Sequence, residues 1–199
     1  MLDYSIENEV ISEGYHMVCG VDEAGRGPLC GPVVAAAVIL PVGLYIEGLN
    51  DSKKLSEAKR EKIFDIITKE AVAYAICEAS VEEINSTDIL SASLLAMRRA
   101  ISSLSISADY ALIDGNVTRG FELPCRAVVH GDALSPSIAA ASILAKVTRD
   151  RMCASLDAEF PAYGIAKHKG YPTKDHMDAV RLHGPSPIHR KSFLKFLEK

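Results

Sequence analysis

Long apolar runs and secretion signals are missing from the 199-residue sequence. The longest uncharged apolar run covers residues 32–42, far short of the roughly 20 residues that a membrane-spanning helix needs. No basic segment leading into an apolar one opens the chain. We therefore expect a soluble globular protein with neither a secretory leader nor a membrane partner.

Cysteine is sparse and scattered. The chain has five cysteines, and no two of them are spaced as Cys-x-x-Cys. This argues against both a structural zinc site and a disulfide framework. We therefore expect free thiols in a reducing, cytoplasmic setting.

Phosphate-binding motifs of nucleotide-dependent proteins are also missing. The absence of Gly-x-x-x-x-Gly-Lys-[Ser/Thr] excludes a P-loop. Residues 25–31 read Gly-Arg-Gly-Pro-Leu-Cys-Gly, in which the last spacing is one residue too long for a dinucleotide fingerprint, and a strand rather than a helix is predicted to follow. Such a loop still lets backbone groups approach a sugar–phosphate chain closely.

Positive charge is distributed unevenly along the chain. The net charge is −4, but residues 1–100 carry 9 basic and 16 acidic side chains, whereas residues 141–199 carry 11 basic and 6 acidic ones. A basic part on an acidic body is typical of a protein that binds a polyanion on one face. A merely solvated basic surface gives the same counts, so charge alone leaves both interpretations open.

Interleaved strand and helix patterns predict an α/β fold with a mixed sheet flanked by helices. Strands are predicted near residues 17–21, 33–40, 71–79, 110–113 and 126–129. Helices are predicted from Ser56, over residues 88–106, from Pro136 to about residue 156, from Thr173 to Gly184, and near residues 192–197. We expect a main domain over residues 1–160 and a helical C-terminal appendage over residues 161–199.

Acidic residues follow three of the predicted strands: Asp22 with Glu23, Asp114, and Asp132. Side chains alternate along a strand, so Asp22 and Glu23 share a site only if the chain bends, a freedom that the following glycines supply. A single acid at a strand end is usually a solvated turn residue, but three such ends together favour a carboxylate site. Ligands that are all oxygen favour Mg²⁺ or Mn²⁺ over zinc, and four carboxylates can hold two such ions for phosphodiester hydrolysis.

Five ordered segments resemble the motifs of the ribonuclease HII family. They read GVDEAGRGP at 20–28, NDSKKL at 50–55, LIDGN at 112–116, AAASILAKVTRD at 139–150 and YGIAKHKGYPT at 163–173. The resemblance extends over about residues 15–194, and five ordered motifs are far more specific than any one alone. The sequence departs from the family pattern at His130, where the family usually has lysine.

The resemblance implies a ribonuclease H-like fold and endonucleolytic hydrolysis of RNA in RNA–DNA hybrids, with Mn²⁺ or Mg²⁺ as cofactor. It also implies incision 5′ of a single ribonucleotide in duplex DNA, by two-metal-ion chemistry that leaves 3′-hydroxyl and 5′-phosphate ends. The implied partners are these nucleic acids, and we expect a monomer.

Position by position, the resemblance assigns catalysis and metal binding to Asp22, Glu23, Asp114 and Asp132. The loop that senses the ribose 2′-hydroxyl corresponds to Gly25, Arg26 and Gly27, and the substrate-reading tyrosine corresponds to Tyr163. Basic side chains in or near the motifs are expected to contact backbone phosphates: Lys53, Lys146 and Arg149. A solvated helix face remains the alternative for the last two, and His183 and His189 are expected at the surface or on phosphate.

Two other classes of function remain open. A non-catalytic binder of structured RNA would not need four acids at strand ends. A metal-dependent phosphatase or a nuclease of another specificity could use a similar fold. Cleavage of a duplex with one embedded ribonucleotide, with and without metal, separates the three.

Overall fold

The computed structural model describes residues 2–52 and 55–198. Its helices and strands, in chain order, are α1 (Ser5–Ser12), β1 (Val18–Ala24), β2 (Val33–Ile39), α2 (Glu57–Glu70), β3 (Ala73–Ala79), α3 (Val81–Ser86), α4 (Ile89–Ser102), β4 (Tyr110–Asp114), β5 (Cys125–Val128), α5 (Pro136–Glu159), α6 (Ile165–His168) and α7 (Lys174–His183). Short 3₁₀ turns cover Gly131–Ala133, Pro161–Tyr163, Lys191–Phe193 and Lys195–Leu197.

The strands form one five-stranded sheet in the order β3-β2-β1-β4-β5. β2 pairs antiparallel with both β1 and β3. β4 pairs in parallel with β1, and β5 in parallel with β4. The predicted mixed sheet flanked by helices is therefore confirmed.

β2 is buried along its whole length because helices cover both faces of the sheet. Val33, Ala35 and Ala37 pack in the core that α4 shares. Ala36 and Val38 pack in the core formed with α2 and α5. Burial on both faces explains why this strand is a continuous apolar run rather than an alternating one.

α5 is the longest helix and crosses close to β1. Ser135 caps it by accepting the main-chain N–H of Ile138, and Pro136 occupies its first turn, as the sequence predicts. A Cβ at Gly20 would lie 2.1 Å from the main-chain carbonyl carbon of Ser137, so only glycine permits this approach. The helix thereby covers the end of β1 at which the first two acids lie.

The segment after α5 packs against the loop between β1 and β2. One apolar cluster joins Cys30 of this loop and Cys153 of α5 to the C-terminal part, through Tyr163, Ile165, Val180 and Leu194. The helix predicted near residues 192–197 consists instead of two 3₁₀ turns. α1, α3 and α6 are additional to the predicted helices. No helix within residues 2–52 and 55–198 is long and apolar enough to cross a membrane.

Candidate active site

Asp22 lies near the end of β1, and Asp114 ends the neighbouring parallel strand β4. The last paired residues of β1 and β4 are Val21 and Ile113, so the two aspartates follow in the same register. Because side chains alternate in phase on both strands, both carboxylates lie on the face that α5 covers. The carboxyl ends of the two strands thus bring together two of the predicted acids.

Asp22 is a buried carboxylate beside other acids. It is 5% exposed, and burial raises its pKa well above the ordinary value, with the charges of Glu23 and Asp114 raising it further. The main-chain N–H of Glu23 donates to Oδ1 of Asp22 at 2.7 Å, and a hydrogen bond with Ser142 also favours the ionised form. A carboxylate in these surroundings is stabilised by a nearby cation.

Glu23 lines the same cavity as Asp22, although the two are consecutive on one strand. Burial raises the pKa of Glu23, the Arg26 guanidinium opposes this rise, and Asp114 adds to it. Nη1 of Arg26 lies 3.4 Å from Oε1 of Glu23. The arginine of the glycine loop is therefore linked directly to an acid of the site.

Asp132 reaches this edge of the sheet through β5. Val128 at the end of β5 pairs with Asp114, and the chain then turns through Gly131–Ala133. The main-chain N–H of Gly131 donates to Oδ1 of Asp114 at 2.7 Å, and Asp132 is buried. The turn that carries Asp132 is thus hydrogen-bonded to Asp114.

The four carboxylates suit a divalent metal. They offer only oxygen ligands, which Mg²⁺ and Mn²⁺ prefer, whereas zinc sites usually include histidine or cysteine. The raised pKa values of Asp22 and Glu23 reflect burial and the charge of neighbouring acids. A bound cation would offset that unfavourable charge, so the donor set fits the predicted metal.

A cavity of about 80 Å³ opens beside the first two acids. It is lined by Asp22, Glu23, Ala24, Gly25, Ser52, Ser142, Lys146, Arg149 and Tyr171. The hydroxyl oxygens of Ser52 and Ser142 are 3.0 Å apart, which fixes the second motif to α5. A larger cavity of about 570 Å³, lined by parts of residues 98–108 and 121–123, includes none of the predicted site residues.

Arg149 is buried beneath the glycine loop, at the floor of the smaller cavity. It is 2% exposed and donates to the carbonyls of Pro32, Cys30 and Lys169. Gly25 has a φ of +98°, and a Cβ there would lie 2.0 Å from Nε of Arg149, so glycine is required on both counts. The guanidinium of Arg149 is thus already bound to the main chain, and its contact with phosphate stays a prediction.

Lys53 and Lys146 are the two lysines expected to contact phosphate. Lys146 lines the cavity, and its Nζ lies 2.6 Å from Oδ1 of Asp150. Its contact with phosphate stays a prediction. Lys53 lies outside the described residues.

The two tyrosines of the last motif differ in their surroundings. Tyr163 is 8% exposed, and its hydroxyl donates to the carbonyl of Gly184 at 2.8 Å. Tyr171 is 46% exposed, lines the cavity and lies over Gly27, where a Cβ would come 3.3 Å from its ring. The burial of Tyr163 argues against its assignment to substrate reading, which stays a prediction. Tyr171, eight residues further along the same motif, is the tyrosine that is exposed beside the acids.

Cys30, His176 and His189 form a second group of potential ligands, with one ligand atom of each within 4.8 Å of the others. The main-chain N–H of Ser186 donates to Nδ1 of His189, and Nδ1 of His176 donates to the carbonyl of Tyr171. Nε2 of His189 therefore carries a hydrogen and donates to Nε2 of His176, 3.2 Å away. The rings are neutral core groups with all nitrogens in use, so they are not metal ligands. The prediction that His189 contacts solvent or phosphate is wrong.

Comparisons with known proteins agree with this arrangement. The family model described as Ribonuclease HII matches residues 19–196. Ribonuclease HII of Dechloromonas aromatica (strain RCB) is 56% identical over 177 residues, which cover 89% of this chain and 90% of that protein. Ribonuclease HII of Moorella thermoacetica (strain ATCC 39073 / JCM 9320) is 54% identical over 190 residues, which cover 96% and 92%.

A solved structure shows the same fold. Ribonuclease H2 from Pyrococcus horikoshii OT3 has a TM-score of 0.76 and 28% identity, over 92% of this chain and 97% of that one. The family match extends from the first acidic strand to the C-terminal turns, so it includes every element that contributes to the carboxylate edge. The chain therefore belongs to the ribonuclease HII family of metal-dependent endonucleases.

Proposed function

We propose that this ribonuclease H, which acts on RNA–DNA hybrids, also incises duplex DNA on the 5′ side of a single embedded ribonucleotide. Cleavage leaves 3′-hydroxyl and 5′-phosphate ends. The observation that carries the proposal is that Asp22 and Glu23 share one cavity with Gly25 and Tyr171. A phosphate at the carboxylates and a ribose at the loop would then be neighbours along one strand.

Asp22, Glu23, Asp114 and Asp132 would hold two divalent cations, Mn²⁺ or Mg²⁺. When bound, such cations neutralise phosphate charge and activate water for attack. The contribution of the chain is to hold the carboxylates on the ends of paired strands, where backbone hydrogen bonds stop them from moving apart. The raised pKa values of Asp22 and Glu23 support this assignment.

Ribose differs from deoxyribose only in its 2′-hydroxyl, so a sensor must reach that atom. Gly25 and Gly27 have no side chain, so the main chain of the loop can approach the sugar. Tyr171 offers a ring that packs on the sugar and a hydroxyl that can hydrogen-bond to it. We infer that Tyr171 and the loop of Gly25, Arg26 and Gly27 place the phosphate next to the carboxylates. Misplacement by about 1 Å would cost on the order of 100-fold in rate.

Binding of the duplex would use the basic part of the chain. We propose that Lys53 and Lys146 bind backbone phosphates, and that residues 161–199 serve as a substrate-binding part beside a catalytic domain of residues 1–160. The excess of basic side chains after residue 140 supports this, as does the supply of Tyr171 from that segment. We also propose that the protein is a monomer. We further propose that it works in the reducing cytoplasm, which its five free cysteines support.

The test uses three labelled duplexes of one sequence: DNA with a single ribonucleotide, all-DNA, and an RNA–DNA hybrid. Each is incubated with Mg²⁺, Mn²⁺ or EDTA, and the products are tested for polymerase extension, which requires a 3′-hydroxyl. We expect metal-dependent cleavage of the first and third only, with extendable ends. Cleavage of the hybrid alone would contradict incision at single ribonucleotides. Release of terminal phosphate would favour a phosphatase, and binding without cleavage an RNA-binding protein.

A further inference from the structure

Arg190 is a fully buried cation directly beneath the glycine loop. Each of its five N–H groups donates to a different main-chain carbonyl of residues 25–32. The acceptors are Gly31 for Nε at 2.9 Å, Arg26 and Pro28 for Nη1 at 3.0 and 2.8 Å, and Gly25 and Pro32 for Nη2 at 2.7 and 3.1 Å. One side chain therefore fixes the direction of five peptide groups in an eight-residue segment.

Because Arg190 is both charged and buried, its N–H groups need all five carbonyl acceptors. Burial and the neighbouring Arg149 lower the pKa of Arg190 to about 9, so the guanidinium is still a cation at neutral pH. Its neighbours in the hydrogen-bond network are neutral carbonyl dipoles, which replace the water that the ion loses. Any movement of the loop that turns a carbonyl away leaves a charged donor unsatisfied inside the protein. Loop conformations that keep all five carbonyls in place are therefore strongly favoured.

Main-chain hydrogen bonds dock the C-terminal segment on the same loop. The N–H of Arg190 donates to the carbonyl of Leu29 at 2.8 Å, and the N–H of Gly31 donates to the carbonyl of Ile188 at 2.9 Å. The N–H of Leu29 donates to the carbonyl of Gly170 at 2.8 Å. Since Gly170 precedes Tyr171, the side of the cavity formed by the tyrosine is joined to the loop through the same contacts.

We propose that Arg190 is a positioning residue for cleavage at single ribonucleotides, holding the main chain of Gly25, Arg26 and Gly27 where it reads the ribose beside the carboxylates. The inference rests on the proposed role of that loop. A lysine is not equivalent at this position, because an ammonium has three donors at one point whereas a guanidinium presents five in a plane. The Arg190→Lys substitution therefore keeps the positive charge but removes the planar set of five donors.

The kinetic test compares single-turnover rates on the single-ribonucleotide duplex and on an RNA–DNA hybrid. In Arg190→Lys, we expect the rate on the single-ribonucleotide duplex to fall at least tenfold more than the rate on the hybrid, where every nucleotide offers a 2′-hydroxyl and many registers are available. Leu94→Ala, in the α4 core, is the control for lost stability and should lower both rates equally. Arg99→Lys, in an exposed ion pair with Glu83, is the control for replacing an arginine with lysine away from the loop, and it should leave both rates unchanged. Equal losses on both substrates in Arg190→Lys would overturn the proposal.

A spectroscopic test reports on the loop without catalysis. In protein labelled with ¹⁵N-glycine, Arg190→Lys should shift the amide resonances of Gly25, Gly27 and Gly31 and leave that of Gly43 unchanged. If the wild-type enzyme does not incise single ribonucleotides, the proposed function fails and this spectrum still decides the role of Arg190 in the loop. If Arg190→Lys does not fold, Overhauser contacts between the Arg190 Nε–H and Gly31 in the wild type decide it instead. Unmoved loop resonances in a folded variant, or absent contacts in the wild type, would overturn the inference.

Discussion

The ring of Tyr171 lies against Gly27, close enough that a Cβ at residue 27 would come 3.3 Å from it. This contact joins the last sequence motif to the first, at the cavity that Asp22 and Glu23 line. A sugar entering there meets an aromatic face and a main chain without a side chain. The contact is therefore where discrimination between ribose and deoxyribose is expected to occur.

Tyr171→Ala should lower the single-turnover rate on a single-ribonucleotide duplex by about tenfold or more, with a smaller loss on a hybrid, because the ring positions the sugar. Tyr171→Phe should be milder if packing dominates and equally harmful if the hydroxyl dominates. The matched control is Tyr163→Phe, which removes the hydrogen bond to Gly184. It should cost about 1 kcal/mol in the free energy of unfolding and leave the rate per folded molecule unchanged. A normal rate in Tyr171→Ala together with a loss in Tyr163→Phe would favour the original assignment.

Lys146→Met should weaken binding to a hybrid and flatten its dependence on salt. Each phosphate neutralised by a cation releases counterions, so the loss of one contact should reduce the slope of log K against log salt by about 1. The measurement is fluorescence anisotropy over a range of salt concentrations, with catalysis stopped by EDTA. Lys69→Met, at an exposed position near the end of α2, should keep the wild-type slope. An unchanged slope in Lys146→Met would remove Lys146 from the interface.

The contribution of two histidines to stability should fall as the pH drops below about 6.5, because both are buried in the neutral form. Burial, with a contribution from His176, lowers the pKa of His189 from 6.5 to about 4, and burial also lowers that of His176. The unfolded chain takes up protons near pH 6.5 but the folded chain does not. The contribution of the histidines is therefore full above that pH and decreases as the pH falls, for His189 towards pH 4 and by up to about 1.4 kcal/mol per pH unit. The raised pKa values of the buried Asp22 and Glu23 act in the opposite sense.

Urea unfolding at pH 7.5, 5.5 and 4.5 checks this prediction. The difference in stability between the wild type and His189→Gln should narrow as the pH falls, since the variant has no such proton to exclude. The exposed His183 provides the control, and His183→Gln should follow the wild type at every pH. A constant difference between wild type and His189→Gln would contradict the account.

The sequence predicted the sheet and its acidic edge because those features are local. The apolar run of β2 and the Ser135-Pro136 start of α5 are signals that lie within a few residues. The capping box of Ser80 and Glu83, which begins α3, is an equally local signal. These patterns depend on backbone preference and burial alone, so they can be interpreted without the tertiary structure.

The side-chain positions that the sequence does not predict depend on how the C-terminal segment packs against the glycine loop. Arg149 and Arg190 are basic residues in a basic region, and nothing local distinguishes a guanidinium that binds carbonyls from one that binds phosphate. Tyr163 and Tyr171 share one motif, and only the fold decides which ring enters the cavity. His189 is buried because Ser186 and His176 form hydrogen bonds with its two ring nitrogens.

Hydrolysis is expected to depend on the carboxylates of Asp22, near the end of β1, and Asp114, at the end of β4. Asn at either position keeps the shape and the hydrogen-bond acceptor but removes one charge. Asp22→Asn and Asp114→Asn should therefore fold with undiminished thermal stability, since loss of a like charge relieves repulsion in a buried cluster.

The most direct measurement is the single-turnover cleavage rate of folded Asp114→Asn on an RNA–DNA hybrid, beside the wild type, at saturating Mg²⁺ and at saturating Mn²⁺. The account predicts that cleavage is lost with both metals while the hybrid is still bound. Turnover near the wild-type rate with either metal would contradict it.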